Sequence, residues 1–431
     1  MTTYAAPPPV LAHGIGGRQD LPIPLGFLLV GAGLAVLVSF VALGVAWRSS
    51  RFRADAGRAI PRPAQRLVDH RLTRALLRLA GLLAAAATFY AAAAGPAGAN
   101  NPAPWTIYVL FWVGLIPLSL LFGPVWKLFN PLRTIHSGIA SLSGGAPLYR
   151  LPERVGYWPA AAGLFAFAWL ELVAPDNDEG GTLIAWFAVY STIMIVCAAL
   201  FGAAWLDRGD AFEVYSGLIG RLAPIGRRGD GRLAFRNPFD GLAGTPERPG
   251  LVAVVCVLLG STAYDGFSRS PVWVNLQQSG PLPRGLVGTL GLAGFVLFVA
   301  LTYWAATSRT GPAALAHSLI PIAVGYLIAH YFSLLLFGGQ QAAILWSDPL
   351  GTNANLFGTR LLTVDYGILS LTAIAAIRAG AVVAGHICGV FAGHDRAVAL
   401  LPRGRAFAGQ FPLLALMVGY TVGGLTLLFS S

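Results

Sequence analysis

The chain alternates between long apolar runs and shorter connections that hold nearly all its charge. A helix needs about 20 mostly apolar residues to cross ~30 Å of hydrocarbon. Runs of that kind cover 24–47, 75–95, 104–126, 157–174, 182–205, 251–268, 286–308, 312–337, 366–392 and 408–430. The pattern predicts an all-α, polytopic helical membrane bundle of about ten transmembrane helices, forming one domain over 1–431. The first run is too long for the core of a signal peptide, has no basic start and is followed by arginines. It should therefore remain as the first helix.

The connections set the orientation. Eight arginines lie between Arg48 and Arg74. Lys127, Arg133, Arg150 and Arg154 follow the third run, and Arg208, Arg221, Arg227, Arg228, Arg232, Arg236 and Arg248 follow the fifth. Arg309 follows the seventh, and Arg396, Arg403 and Arg405 follow the ninth. These loops alternate, so they share one side, which the positive-inside rule assigns to the cytoplasm. The opposite loops carry Asp20, Asp176, Asp178, Glu179, Asp348 and Asp365 against four arginines, Arg18, Arg269, Arg284 and Arg360. Both termini are then outside. The long connection 206–250 reads as an amphipathic or irregular segment at the inner surface, and 338–365 is the long outer loop.

Composition agrees. Hydrophobic residues make up 56% and charged residues 11%, with a mean hydropathy of +0.66. A soluble domain carries roughly 25% charged residues. The net charge of +11 follows from the loop asymmetry and from attraction to anionic lipid at the cytoplasmic face, so no nucleic acid partner is implied. Lys127 is the single lysine among many arginines, alanines and glycines, which suggests a GC-rich bacterial genome and hence the plasma (inner) membrane. Cys197, Cys256 and Cys388 sit in apolar runs without a C-x-x-C pair and read as buried apolar fillers.

An internal repeat lies in the middle of the chain. LFGPVWKLFNPLRTIHSG at 121–138 and LFGAAWLDRGDAFEVYSG at 200–217 share Leu-Phe-Gly, a Trp and Ser-Gly at a constant offset of 79. The helices that follow end in Ala-Trp-Leu-Glu at 168–171 and Ala-Tyr-Asp at 263–265. The copies, about 121–171 and 200–265, enter the membrane in the same direction, as a parallel duplication does.

That repeat leads to the main site candidate. Glu171 lies about 21 Å along its helix, Asp265 lies at a similar height, and His330 is roughly 27 Å along the eighth run. All three fall in the outer leaflet, where ionisable groups cost free energy unless paired, hydrated or liganded. Two carboxylates and an imidazole suit a divalent metal or a proton path; wetted helix ends are the plain alternative. His13 and Asp20, in the Gly- and Pro-rich segment before the first helix, are possible further ligands. Pro321 frees the carbonyl of His317 and should kink the eighth helix, a device transporters use to hold ions. Arg378, midway along the ninth run, needs a partner, a polar cavity or the protein interior. His317, Pro321 and Arg378 form the candidate substrate or ion pathway. Ala381, Gly385, Gly389 and Gly393 make a small-residue ridge for close helix packing.

Haem is not implied. His317 and His330 are thirteen residues apart, but His386 and His394 are only eight apart, with His386 near the inner boundary and His394 beyond it. His330 would then lack an axial ligand at its own depth. P-loop, G-x-S-x-G, H-E-x-x-H and dinucleotide motifs are absent from the sequence.

HGIGGRQDLPIP, AWLEL, STAYDGFS, AHYFSLLLFGGQ and AGHICGVFAGHDRA together resemble a poorly characterised bacterial family of ten-helix membrane proteins, some labelled fenitrothion hydrolase. The resemblance runs over nearly the whole length. It implies organophosphate ester cleavage, with His13, Asp20, Glu171, Asp265 and His330 as the metal and water-activating set. Three functional readings follow: a permease-like protein handling a small solute or cation, a metal-dependent membrane hydrolase facing outward, and a structural or assembly protein.

Overall fold

The computed structural model describes residues 18–142, 144–402 and 408–430. Among them, nine helices are long and apolar enough to cross a bilayer. They are α1 (Leu25–Ala46), α2 (Arg71–Ala94), α3 (Pro102–Phe122), α5 (Gly180–Phe201), α6 (Leu251–Ser268), α7 (Arg284–Thr307), α8 (Pro312–Leu345), α9 (Leu371–Leu400) and α10 (Phe411–Ser430). The run predicted as the fourth span forms a shorter helix, α4 (Trp158–Leu172). Its 15 residues rise about 22 Å. Gly156, at φ 46°, turns the chain just before α4, and Asp176, at φ 50°, does so just after it. The molecule is an integral membrane protein of the all-α, polytopic class.

The outer faces of the bundle are greasy. Phe27, Val30, Val38, Val45, Leu290, Phe298, Leu301 and Trp304 on α1 and α7 are exposed. Water-soluble monomers rarely present such continuous apolar patches. Hydrocarbon is the solvent that suits these helices.

Contacts among connections separate the two ends of the bundle. A small antiparallel sheet joins β1 (Arg58–Ala59), β2 (Ile225–Arg227) and β3 (Leu233–Phe235) in the order β1-β3-β2, tying the 48–70 connection to 206–250. Asp69 accepts from Arg227, Lys127 and Arg133 reach Asp207, Arg208 reaches Glu153, and Arg396 pairs with Glu247. The arginine-rich loops therefore meet on one face. At the other end, Gly95 lies against Pro349, Gly98 against Glu179, and the Tyr108 hydroxyl donates to the carbonyl of Asn177.

One stretch of the connection 206–250 differs from the expected amphipathic or irregular segment at the inner surface. Its helix Ala211–Ile219 is buried at every residue except Gly217. Phe212 packs on Phe111, Phe167 and Tyr190, and Tyr215 stacks on Trp112 at 4.4 Å. The two repeat stretches have the same element order. Gly123 (φ 84°) and Gly202 (φ 72°) end α3 and α5 in the left-handed region, as glycine allows at no steric cost. Short helices follow, Trp126–Phe129 and Ala203–Gly209; then Asn130 and Asp210 each accept from the backbone N–H two residues on. The two capping side chains meet, with Asn130 Nδ2 donating to Asp210 at 3.0 Å and to Glu213 at 2.8 Å. Arg133 closes the cluster on both Glu213 oxygens at 2.7 and 2.6 Å.

α8 and α9 are the most intimate pair. A Cβ on Gly385 would stand 2.6 Å from the Pro321 carbonyl oxygen and 3.1 Å from the Gly325 Cα. One on Gly389 would stand 2.9 Å from the carbonyl oxygen of Ser318. The small-residue ridge thus brings two backbones together. α9 starts later and runs longer than its predicted span of 366–392. It continues through His394 and Asp395, which are buried, because Trp47 Nε1, Ser50 Oγ and the Arg51 N–H all donate to Asp395. His394 therefore lies within α9 beside the Trp47 carbonyl, past the end of the predicted span at 392. Among the cysteines, all free, only Cys256 is fully buried; Cys197 and Cys388 are half-buried, so the filler reading fits one of three.

Candidate functional site

The site forms where α4, α6 and α8 converge. α6 is apolar from Leu251 onward and is the most enclosed of the shorter spans, so Asp265 near its end is carried into the bundle at 1% exposure. α8 supplies His330, 5% exposed, whose Nε2 lies 2.7 Å from Asp265 Oδ2. Arg269, four residues beyond Asp265 and capping the end of α6, donates to Oδ1 at 3.1 Å. The carboxylate thus has an imidazole on one oxygen and a partly exposed guanidinium on the other. Burial of a charge in such a place is tolerated only with this kind of pairing.

Glu171, the penultimate residue of α4, stands beside the pair. The residue is half-buried, with protein packed closely round the carboxyl, which faces Asp265, Arg269 and the Tyr331 hydroxyl. The Asn177 amide ties down the Glu171 carbonyl. Tyr331 is buried, and its ring meets the His330 ring edge-on at 4.8 Å. Arg269 is the partly exposed member of the group, and Asp265 and His330 are buried beside it, with Glu171 and Tyr331 alongside. Such an array can pass a proton between carboxylate and imidazole, or bind a small cation or a polar solute, without moving a helix.

No protein-family model, curated protein or solved structure matches this chain. Its site must be read from its own geometry.

Of the residues singled out by sequence, Asp265 and His330 touch and Glu171 joins them. Asp20 sits half-buried in the turn Arg18–Asp20, ahead of α1. His13 lies outside the described residues. Among the described residues, no three His, Cys, Asp or Glu side chains gather as a group that could hold a metal ion. Arg378 is 3% exposed and donates to the carbonyls of Ala329 (2.9 Å) and Leu428 (3.3 Å), with its guanidinium over the Phe429 ring. It therefore joins α9 to α8 and α10 one residue before His330. His317 is buried in a single 3-10 turn, Ala316–Ser318, against Ala314 and Ala392. The α-helix of α8 resumes at Leu319 after a first stretch over Pro312–Leu315, so the break lies just ahead of Pro321, whose carbonyl faces Gly385.

Three participants escaped the sequence reading. Arg269 was counted only as an outer-loop charge, although its i+4 spacing from Asp265 signals a helical pair. Tyr331 was passed over beside His330. The third is a pair of π-helical segments, Trp105–Val113 in α3 and Leu334–Gly338 in α8, packed on each other where Gly338 meets Trp105 and Val109. The second begins directly after Ser333, and π segments concentrate at functional sites. Nothing in residue type marks them.

Proposed function

We propose that this protein is permease-like and handles a small solute or cation through the polar centre of Glu171, Asp265 and His330. The observation that carries the reading is the Asp265–His330 hydrogen bond, enclosed between two membrane helices and linked through Arg269 toward the exposed end of α6. Ionisable groups held inside a bundle mark ion and proton pathways by default. The π segment that follows His330 on α8 supplies a place where that helix can change its register locally. Arg378 is a positioning residue in this reading, fixing α8 through the Ala329 carbonyl.

The test is electrical. Purified protein in liposomes on a supported membrane is exposed to jumps of pH, sodium, potassium and magnesium. At least one jump should give a saturable current in wild type that Asp265→Asn abolishes and that Arg58→Gln, on the arginine-rich face, leaves intact. Currents equal to those of empty liposomes for every jump would overturn the reading. Stoichiometric divalent metal in wild type, lost in Asp265→Asn with no current in either, would favour the hydrolase instead.

A further inference from the structure

A cavity of about 380 Å³ lies among α6, α7, α8, α9 and α10, in the size range of small-molecule sites. Its walls are Leu259, Ala263, Phe295, Val299, Ile322, Leu416 and other apolar residues, together with Thr302 and Tyr420, whose hydroxyls bond each other. Two of the residues that line it each hold a buried polar atom without a hydrogen-bond partner among the described residues, the Tyr326 hydroxyl and His386 Nε2. A buried polar atom left unmatched costs about 1–3 kcal/mol, so two at one cavity call for a ligand. Their chemistry is complementary. His386 Nδ1 stands 2.9 Å from the Val382 carbonyl, which can only accept, so Nδ1 carries the proton and Nε2 of the neutral ring is an acceptor. The tyrosine hydroxyl is free to donate.

The mouth of the cavity shows where the ligand comes from. Ala415, Gly419 and Gly423, spaced one turn apart on α10, and Phe298 on α7 line it and are exposed. Gly419 is near the middle of α10 and Phe298 is well inside α7, so the opening faces the hydrocarbon and neither end of the bundle. A charged headgroup would have to cross hydrocarbon to enter, and no charged side chain lines the walls.

We propose that this cavity binds a neutral lipid-like molecule carrying a hydroxyl, which enters sideways from the bilayer between α7 and α10. The hydroxyl accepts from Tyr326 and donates to His386 Nε2, while the hydrocarbon tail leaves past Phe298 and the small residues of α10. Tyr326 borders the Asp265 centre, its ring 6.4 Å from that of His330, but the proposal stands whether or not the protein conducts.

The experiment uses full-length protein in lipid nanodiscs and a photoreactive long-chain primary alcohol. Labelling should saturate and map to α7 and α10. The unlabelled alcohol should compete, its methyl ether about tenfold less well for want of a donor, and the plain alkane less well still. Tyr326→Phe should weaken binding about tenfold. Gly419→Leu, a change on the lipid-facing side, should block entry while the protein stays monodisperse, and it carries the test should Tyr326→Phe misfold. If alkane competes as well as alcohol, the cavity holds only acyl chain, with water serving the polar atoms, and the proposal fails. It fails equally if labelling does not saturate or falls elsewhere.

Discussion

Removing Arg133 tests whether the cluster at the two capping turns holds the arginine-rich end together. Glu213 has 4% of its side chain exposed and Arg133 has 11%, and two charge-assisted hydrogen bonds of 2.7 and 2.6 Å join them. Arg133→Met leaves the Glu213 carboxylate enclosed, with the Asn130 amide still donating to it and the Asp210 carboxyl close by. Stranding one member of a buried pair costs about 3–5 kcal/mol. Lys127 makes a geometrically similar bond to Asp207, but both side chains are more than 40% exposed, so Lys127→Met should cost less than about 1 kcal/mol. The double variant Arg133→Met, Glu213→Met replaces the pair with apolar volume and should recover more than half of the single loss. Unfolding free energies from denaturing-detergent titrations in mixed micelles, followed by tryptophan fluorescence, would measure all three. Equal losses for Arg133→Met and Lys127→Met would refute the reasoning, because the burial would then be worth nothing.

Two more predictions concern stability. Burial, followed by the negative charge of Glu213, pushes the Asp210 carboxyl up from 3.8 to about 7. The folded state then binds more protons than the unfolded one between those values, so stability should fall as pH rises from about 4 through about 7 and level off above. Asp210→Asn keeps a good helix cap and should flatten that slope in thermal melts. Gly385→Val would push a side chain against the Pro321 carbonyl and the Gly325 Cα, backbone atoms that cannot swing aside. It should cost at least about 1–3 kcal/mol, whereas Gly380→Val, where a Cβ meets open space, should stay within about 0.5 kcal/mol.

The class of the protein was legible because hydrocarbon imposes length and apolarity on each span, and those are properties of composition. The common face of the arginine loops was legible for the same reason, and the contacts of Asp69 with Arg227 and of Lys127 with Asp207 bear it out. Helix ends were less readable. Nothing in the polarity of His394 and Asp395 says that Trp47, Ser50 and Arg51 will cover them and let α9 continue. The burial of Ala211–Ile219 was missed because its charges, Asp210 and Glu213, look like surface until Asn130 and Arg133 arrive from 80 residues away. Depth counted along α4, α6 and α8 found Glu171, Asp265 and His330. It could not supply Tyr331, Arg269 or the π segments, which depend on how helices turn about their own axes.

The most direct test of the polar centre is an infrared difference spectrum of membrane-embedded protein, recorded between the two conditions that drive the largest current. A working Asp265–His330 pair predicts a carboxyl band that appears or shifts with the switch, is lost in Asp265→Asn, and changes frequency in His330→Gln. A difference spectrum that is the same in wild type and Asp265→Asn would mean that this carboxylate takes no part, and the pair would be reduced to a packing contact.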